Sequence, residues 1–236
     1  MRSPEPATTE FAVASVAEEP LVACPVLHEA ALARFVRRTF DIVVATAVLV
    51  LTSPVLLAAV VAIRIESGGP AFFWQERVGR GGRRFRMLKL RGMYTDARER
   101  FPDLYAYSGD GHKAGAFHFH ADDDPRVTKV GRFLRRTSID ELPNFWNVLK
   151  GDMSVVGPRP DIPELMPLYG DRAATVLSVR PGVTSLPKSS GRDGLSFEET
   201  LALEVAYVQT RSLWLDIKIM AKTIPTVLLQ RNVSPG

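Results

Sequence analysis

Between Asp41 and Arg64 the chain runs for 22 residues without a charge, IVVATAVLVLTSPVLLAAVVAI. A helix needs only about 20 apolar residues to cross a bilayer, and a soluble core helix is rarely this long and this uniformly apolar. The segment is therefore expected to enter a membrane. Crossing is a separate matter, because Ser53-Pro54 sits at its middle and proline removes a backbone donor and obstructs the preceding turn. Arg34, Arg37 and Arg38 precede the segment, and Arg64 follows it with more basic residues. Both flanks thus carry the charge that normally stays cytoplasmic. A helix that enters, breaks at Ser53-Pro54 and returns to the same face satisfies both ends; a kinked helix that spans is the alternative.

The rest of the chain must supply a soluble body. With 46% hydrophobic residues, 236 positions can bury one good-sized core. The 24% of charged residues exclude both wholesale disorder and a multi-pass membrane protein. Cys24 is the only cysteine, which excludes an internal disulfide and a cysteine-based zinc site. The first 20 or so residues, rich in Ala, Glu, Pro and Ser, lack a basic start followed by an apolar run and read as a flexible tail. From Arg77 to Arg91 there are seven Lys or Arg and no acid, a stretch that suits nucleic acid, anionic lipid, a phosphorylated small molecule or simply solvent.

The turn signal Glu66 to Pro70 precedes a short strand, Ala71 to Gln75. Gly79 to Gly82 then turns into Arg84 to Arg91, predicting a β-hairpin. Thr95 to Leu104, Ser196 to Tyr207 and Leu213 to Leu229 read as helices, and Ser108 to Gly115 as a loop. Pro143 is welcome at a first helical position and Gly151 at a C-terminal stop, so a helix is expected from about Pro143 to Lys150. An alternative start has Ser138 as N-cap with Glu141 reaching back, which Pro143 makes awkward.

Either start leaves Asp140 and Glu141 at the helix's N-terminal end, where the dipole favours negative charge and free backbone donors can hold phosphate oxygens. Arg132, Arg135 and Arg136 add positive charge nearby. Asp140 is then expected to stay ionised at neutral pH and to suit a nucleophile better than a proton donor. Glu141 suits a divalent cation, since magnesium is commonly held by one or two carboxylates plus substrate phosphates. The competing reading is that both acids only cap the helix. Pro158-Arg159-Pro160 fixes φ on either side of one guanidinium, which presents a stiff planar fork to a phosphate or merely ends a rigid turn.

In order along the chain stand the apolar segment with Ser53-Pro54, Gly69-Pro70, Gln75 to Gly79, Lys89 to Met93, and Asp124 to Thr128. Ser138 to Pro143, Lys150 to Pro160, Arg180 to Thr184, Gly191-Arg192 and Asp216 follow. Together they resemble the bacterial sugar transferase family, the monotopic phosphoglycosyl transferases, over roughly Arg37 to Leu229. The resemblance implies an α+β fold: a mainly helical small globular domain with a short β-hairpin, plus an N-terminal re-entrant membrane helix broken at Ser53-Pro54. It implies a flexible tail over residues 1–33, the membrane helix over 34–65, a catalytic domain with amphipathic interfacial helices over 66–230, and a short tail over 231–236. With 36 residues before Arg37, the chain reads as a short, catalytic-domain form.

The implied activity is magnesium-dependent transfer of a sugar 1-phosphate from a UDP-sugar to polyprenol (undecaprenyl) phosphate at the cytoplasmic face of the bacterial inner membrane. This would be the first membrane step of glycoconjugate or exopolysaccharide assembly, with UMP released. Carried over by position, Asp140 is the nucleophile, Glu141 the magnesium ligand and Lys89 a further catalytic group. Arg91, Arg135, Arg136, Pro158, Arg159, Arg192 and Asp216 are expected to bind substrate or phosphate. Nucleic acid is not an expected partner; a homodimer is left open.

Departures from the family pattern bear on substrate recognition. Ser185-Leu186-Pro187-Lys188 stands where Gly-Trp and then Gln are usual, Asn144 replaces a common Gln, and Glu204 stands for a frequent Asp. Two other functions stay open: direct one-step transfer in a ternary complex, and a non-enzymatic basic binder of anions at the membrane. His112, His118 and His120 with Asp122 to Asp124 could hold a metal, although the resemblance places a hairpin strand there.

Overall fold

The computed structural model describes residues 30–105, 124–190 and 195–228. The chain opens with helix α1 (Ala31–Ser67), 37 residues long. Strands β1 (Phe72–Val78) and β2 (Arg84–Leu90) follow as an antiparallel hairpin, registered Phe72 to Leu90 and Val78 to Arg84. The predicted helix over Thr95 to Leu104 is broken by Pro102 into one turn, α2 (Ala97–Arg100), and a 3-10 turn, Pro102–Tyr105.

Next come α3 (Lys129–Arg136) and α4 (Asn144–Lys150), then β3 (Ser154–Val156), α5 (Arg172–Val176), β4 (Gly182–Thr184) and α6 (Leu186–Ser190). Helices α7 (Phe197–Thr210) and α8 (Leu213–Leu228) complete the described chain. The fold is mainly helical with the expected hairpin. A second pair, β3 beside β4 in parallel, was not anticipated.

Helix α1 runs through Pro54 without interruption, so the expected break at Ser53-Pro54 is not seen. The local chemistry explains why the helix tolerates proline. Pro54 cannot donate to the carbonyl of Val50; the Ser53 hydroxyl donates to it instead, at 2.8 Å. The Thr52 hydroxyl also donates to the Val48 carbonyl, at 2.7 Å. By length and composition α1 could cross a membrane, and only 11% of its most apolar stretch is buried.

Both ends of α1 dock on the globular body. Near its start, Arg38 donates to the carbonyls of Val148 and Leu149 at 2.6 and 2.7 Å, closing the C-terminal end of α4. Asp41 accepts from the Ser154 hydroxyl and the Val155 amide at 2.8 and 2.9 Å. Near its end, Glu66 accepts from the amides of Lys129 and Val130 at 2.8 and 3.0 Å, satisfying free donors of α3. Thr128 caps the same helix through Gly131 at 2.9 Å.

Three apolar clusters hold the body together. Ala45 of α1 packs with Met87, Val148, Met153, Val155, Tyr207 and Ile219. Ala59 and Ile63 pack with Ala71, Leu90 and Leu134. Val78 packs with Met166, Tyr169, Val176 and Leu201. Between Ala45 and Ala59, no residue of α1 is buried, and Leu51 is 78% exposed.

Candidate active site

Three devices bring Glu141 to a cleft, with Asp140 beside it in the chain. Ser138 adopts a left-handed conformation, φ 56°, which turns the chain sharply out of α3 and into a 3-10 turn, Ile139–Glu141. It stands at the N-cap position of that turn, but its side chain makes no cap bond, so the capping box with Glu141 is not formed. Pro143 then leads into α4 and Gly151 ends it at φ 94°, as its sequence predicts. Finally Asn147, fully buried, clips α4 to the hairpin: it donates to the Arg86 carbonyl at 2.7 Å and accepts from the Leu88 amide at 3.0 Å. That clip sets the next residue of β2, Lys89, against Glu141.

The parallel pair delivers the opposite wall. A Cβ on Gly182 would lie 2.1 Å from the Gly157 nitrogen, so only glycine allows β3 and β4 to approach this closely. The Gly157 amide donates to Thr184 at 3.1 Å and the Gly182 amide to Pro158 at 2.8 Å. The segments leaving the two strands, Pro158-Arg159-Pro160 and Ser185 to Lys188, therefore emerge side by side. The resulting cleft encloses about 380 Å³ with its open mouth included, and is lined by Arg77, Lys89, Glu141, Asn144, Arg159 and Lys188 among others.

Glu141 is held from two sides. Lys188 Nζ donates to Oε2 at 2.6 Å and Lys89 Nζ to Oε1 at 3.4 Å. Burial alone would raise its pKa, but Lys188, Lys89 and Arg159 hold it well below the usual carboxylate range. Asp140 behaves in the opposite way: burial and the charge of Glu141 push it up to about 6, against the pull of Lys89 and Arg135. The expectation that Asp140 is ionised at neutral pH therefore holds, although burial and Glu141 set its value higher than a helix dipole alone would. Asp140 is still mostly ionised at pH 7, yet it is the less comfortable of the two acids. Burial lowers the pKa of Lys89, opposed by Glu141 and Asp140. Arg77 is pushed down to about 10 by burial and by Arg159; it donates to the Pro160 carbonyl at 3.1 Å and to Gln75 at 2.7 Å.

The other anticipated residues divide. Arg159 lines the cleft, and its backbone amide is fixed by Glu204 at 2.9 Å. Pro158 lines a neighbouring cavity of about 240 Å³ behind it. Arg135 is half-buried with its charge acting on Asp140, whereas Arg136 is exposed. Arg91 is buried against the end of α1, donating to Ser67 at 2.9 Å and to the Gly68 carbonyl. Asp216 is buried in bonds with Arg37 of α1 and the Tyr207 hydroxyl. Neither Arg91 nor Asp216 lines the cleft, and nor does Asp140, which stands next to the cleft residue Glu141 and feels its charge.

Arg192 lies outside the described residues, as do His112, His118, His120, Asp122 and Asp123. Lys188, which lines the cleft and bonds Glu141, was not among the expected site residues; its only signal was the departure of its segment from the family pattern. Arg77 was visible only as one of seven basic residues and within the Gln75 to Gly79 match.

Among the described residues no three His, Cys, Asp or Glu side chains converge as a metal cluster. A divalent ion in the cleft would have carboxylate oxygen from Glu141, with neighbouring Asp140, and would need further oxygens from substrate. That donor set suits magnesium, which is commonly bound by one or two carboxylates plus phosphates.

Behind Arg159, burial and the neighbouring Asp161 raise Glu204 to about 8, so it is neutral at pH 7. A folded pKa above the unfolded value of 4.5 means that its contribution is fully present below about 4.5 and is lost as pH rises through about 8. Glu204→Gln, which stays neutral and can still accept from Arg159, is expected to melt like wild type near pH 5. Near pH 9 it is expected to melt above wild type. Thermal melts of both proteins across this range check the sign.

The bacterial sugar transferase family model matches residues 32–230. The chain is 44% identical over 194 residues to the galactosyl transferase CpsE of Streptococcus agalactiae, covering 82% of this chain and 42% of that protein. It is 38% identical over 196 residues to the exopolysaccharide production protein ExoY of Rhizobium meliloti, covering 83% and 87%. To the UDP-glucose:undecaprenyl-phosphate glucose-1-phosphate transferase of Caulobacter vibrioides it is 42% identical over 205 residues, covering 83% and 71%. The chain thus spans less than half of the first of these proteins and most of the other two. A match that runs from the start of α1 past the end of α8 makes this chain a member of the bacterial sugar transferase family.

Proposed function

We propose that the protein transfers a sugar 1-phosphate from a UDP-sugar to polyprenol phosphate, through a covalent phosphosugar on Asp140. The observation that carries this reading is a carboxylate in a cationic cleft: Glu141 lines it with Lys89, Lys188, Arg77 and Arg159, and Asp140, next to it in the chain, is pushed up to about 6 by burial and by Glu141. A diphosphate needs such neutralising charge, and a carboxylate close to its own pKa retains nucleophilicity. The names of the Caulobacter relative and of the Salmonella typhimurium undecaprenyl-phosphate galactose phosphotransferase, 40% identical over 195 residues, point to the same donor and acceptor chemistry.

In the first step an Asp140 carboxylate oxygen attacks the sugar-bearing phosphorus. The bond from that phosphorus to the bridging oxygen breaks, and UMP leaves with the electron pair. In the second, a phosphate oxygen of the lipid attacks the same phosphorus and the Asp140 carboxylate departs. Lys89 and Arg159 neutralise the phosphoryl oxygens through both displacements, and Arg77 holds Arg159's neighbour Pro160 in place. Magnesium at Glu141 would supply further charge neutralisation on the diphosphate.

Lipid access follows from α1. Its apolar middle is exposed while Arg38 and Asp41 at one end and Glu66 at the other bond one globular body. A helix that crossed the hydrocarbon core, about 30 Å thick, would leave those ends on opposite sides. Docking of both on one body supports an unbroken α1 held at one face of the membrane, and its basic flanks support the cytoplasmic face.

A panel of UDP-sugars, scored by UMP release with magnesium and polyprenol phosphate present, tests the activity. At least one donor is expected to turn over well above an Asp140→Asn control. Failure of every donor would sink the assignment.

A further inference from the structure

We infer that Lys188 is an internal counter-cation that competes with a divalent metal ion for Glu141, so that metal binding here is an exchange of cations. This rests on the reading of Glu141 as the metal ligand and adds to it the residue that controls its availability. Both oxygens of Glu141 are already used, Oε2 by Lys188 at 2.6 Å and Oε1 by Lys89 at 3.4 Å. A magnesium ion would need to approach one of them to about 2.0–2.1 Å. It would then stand within a few ångströms of an ammonium bonded to the same carboxylate, inside a cleft that also holds Arg77 and Arg159.

The two lysines differ in which can leave. Lys89 belongs to β2, which Asn147 clips to α4 beside the acidic pair. Lys188 sits in the five-residue helix α6, on a flexible four-carbon stem. Its ammonium already has a second acceptor, the Val183 carbonyl at 3.3 Å. Asn144, 3% exposed, lines the same cleft with a side-chain oxygen that has no hydrogen-bond partner among the described residues. A displaced Lys188 ammonium therefore leaves Glu141 without being stranded.

The test is direct binding of Mn²⁺, counted as free ion by electron paramagnetic resonance, to the full chain in detergent without donor or lipid. Lys188→Gln and Lys188→Met remove the charge at similar length; they differ in polarity, so that folding of either, checked by circular dichroism, suffices. Each is expected to bind Mn²⁺ about tenfold or more tightly than wild type, since one unit charge near the ligand oxygen is gone. Adding Glu141→Gln to either variant is expected to abolish the gain. If Glu141→Gln weakens wild-type binding while the Lys188 variants gain nothing, the exchange is wrong although Glu141 remains the ligand. If the Lys188 variants gain affinity and Glu141→Gln leaves that gain intact, Glu141 is not the ligand and both readings fall.

Discussion

Asp140→Asn is expected to reduce UMP release by about a thousandfold or more, the scale on which removing a covalent nucleophile acts. The substitution keeps the size of the side chain and leaves Glu141, Lys89 and Lys188 paired as they are. It should not cost stability. The charge of Asp140 is opposed by burial and by Glu141, so its removal is expected to leave the melting temperature at pH 7 unchanged or raised. Active sites hold such strained charges because chemistry needs them. Incubation with magnesium and a labelled UDP-sugar, without lipid, is expected to label wild type with release of UMP and to leave Asp140→Asn unlabelled. If wild type shows neither label nor UMP, transfer is direct in a ternary complex.

The same carboxyl sets the acid limb of the pH profile. A nucleophile must be deprotonated, so the rate is expected to fall as pH drops through about 6. Because Asp140 and Glu141 act on one another, the apparent value belongs to the pair. Glu141→Gln removes the neighbouring charge that raises Asp140, and should move this limb to lower pH in whatever activity remains.

The parts of the molecule that could be read in the sequence are those set by neighbours along the chain. Pro143 and Gly151 bracket α4, Gly79 to Gly82 turn the hairpin, and Ser196 caps α7 through Glu199 at 3.2 Å, within a residue or two of expectation. Strands of three residues, Ser154–Val156 and Gly182–Thr184, are too short to show a period. Their parallel pairing instead depends on a close approach at Gly157 and Gly182, contacts made across 25 positions of sequence. Residue roles follow the same rule. The acidic pair stands out as a motif along the chain, whereas Lys188 meets Glu141 across 47 positions, and only the departure of its segment hinted at it. In α1, proline foretold a break, but the Ser53 hydroxyl supplies the missing donor and the helix continues.

Asp216 shows most sharply how contacts can assign a residue differently from resemblance. Matched by position, it belongs to the substrate-binding group; in the fold its carboxylate bonds Arg37 and the Tyr207 hydroxyl, joining α8 to α1 and α7. Its side chain is 3% exposed and that of Arg37 is 12% exposed, so the pair is largely withdrawn from water. Breaking a buried pair by removing one partner typically costs about 3–5 kcal/mol, because a desolvated charge remains. Asp216→Ala is accordingly expected to lower unfolding stability by about that amount, which few domains can tolerate. Arg37→Met combined with Asp216→Leu removes both charges and keeps the volume, so it should recover much of the loss; Tyr207 retains the Val156 carbonyl at 3.2 Å. Denaturant unfolding of wild type, the single variant and the double variant reads both effects. An Asp216→Ala protein that unfolds like wild type but has lost UMP release would return Asp216 to the substrate site. A destabilised single variant rescued by the double would instead make it the tie that fastens the membrane helix to the catalytic body.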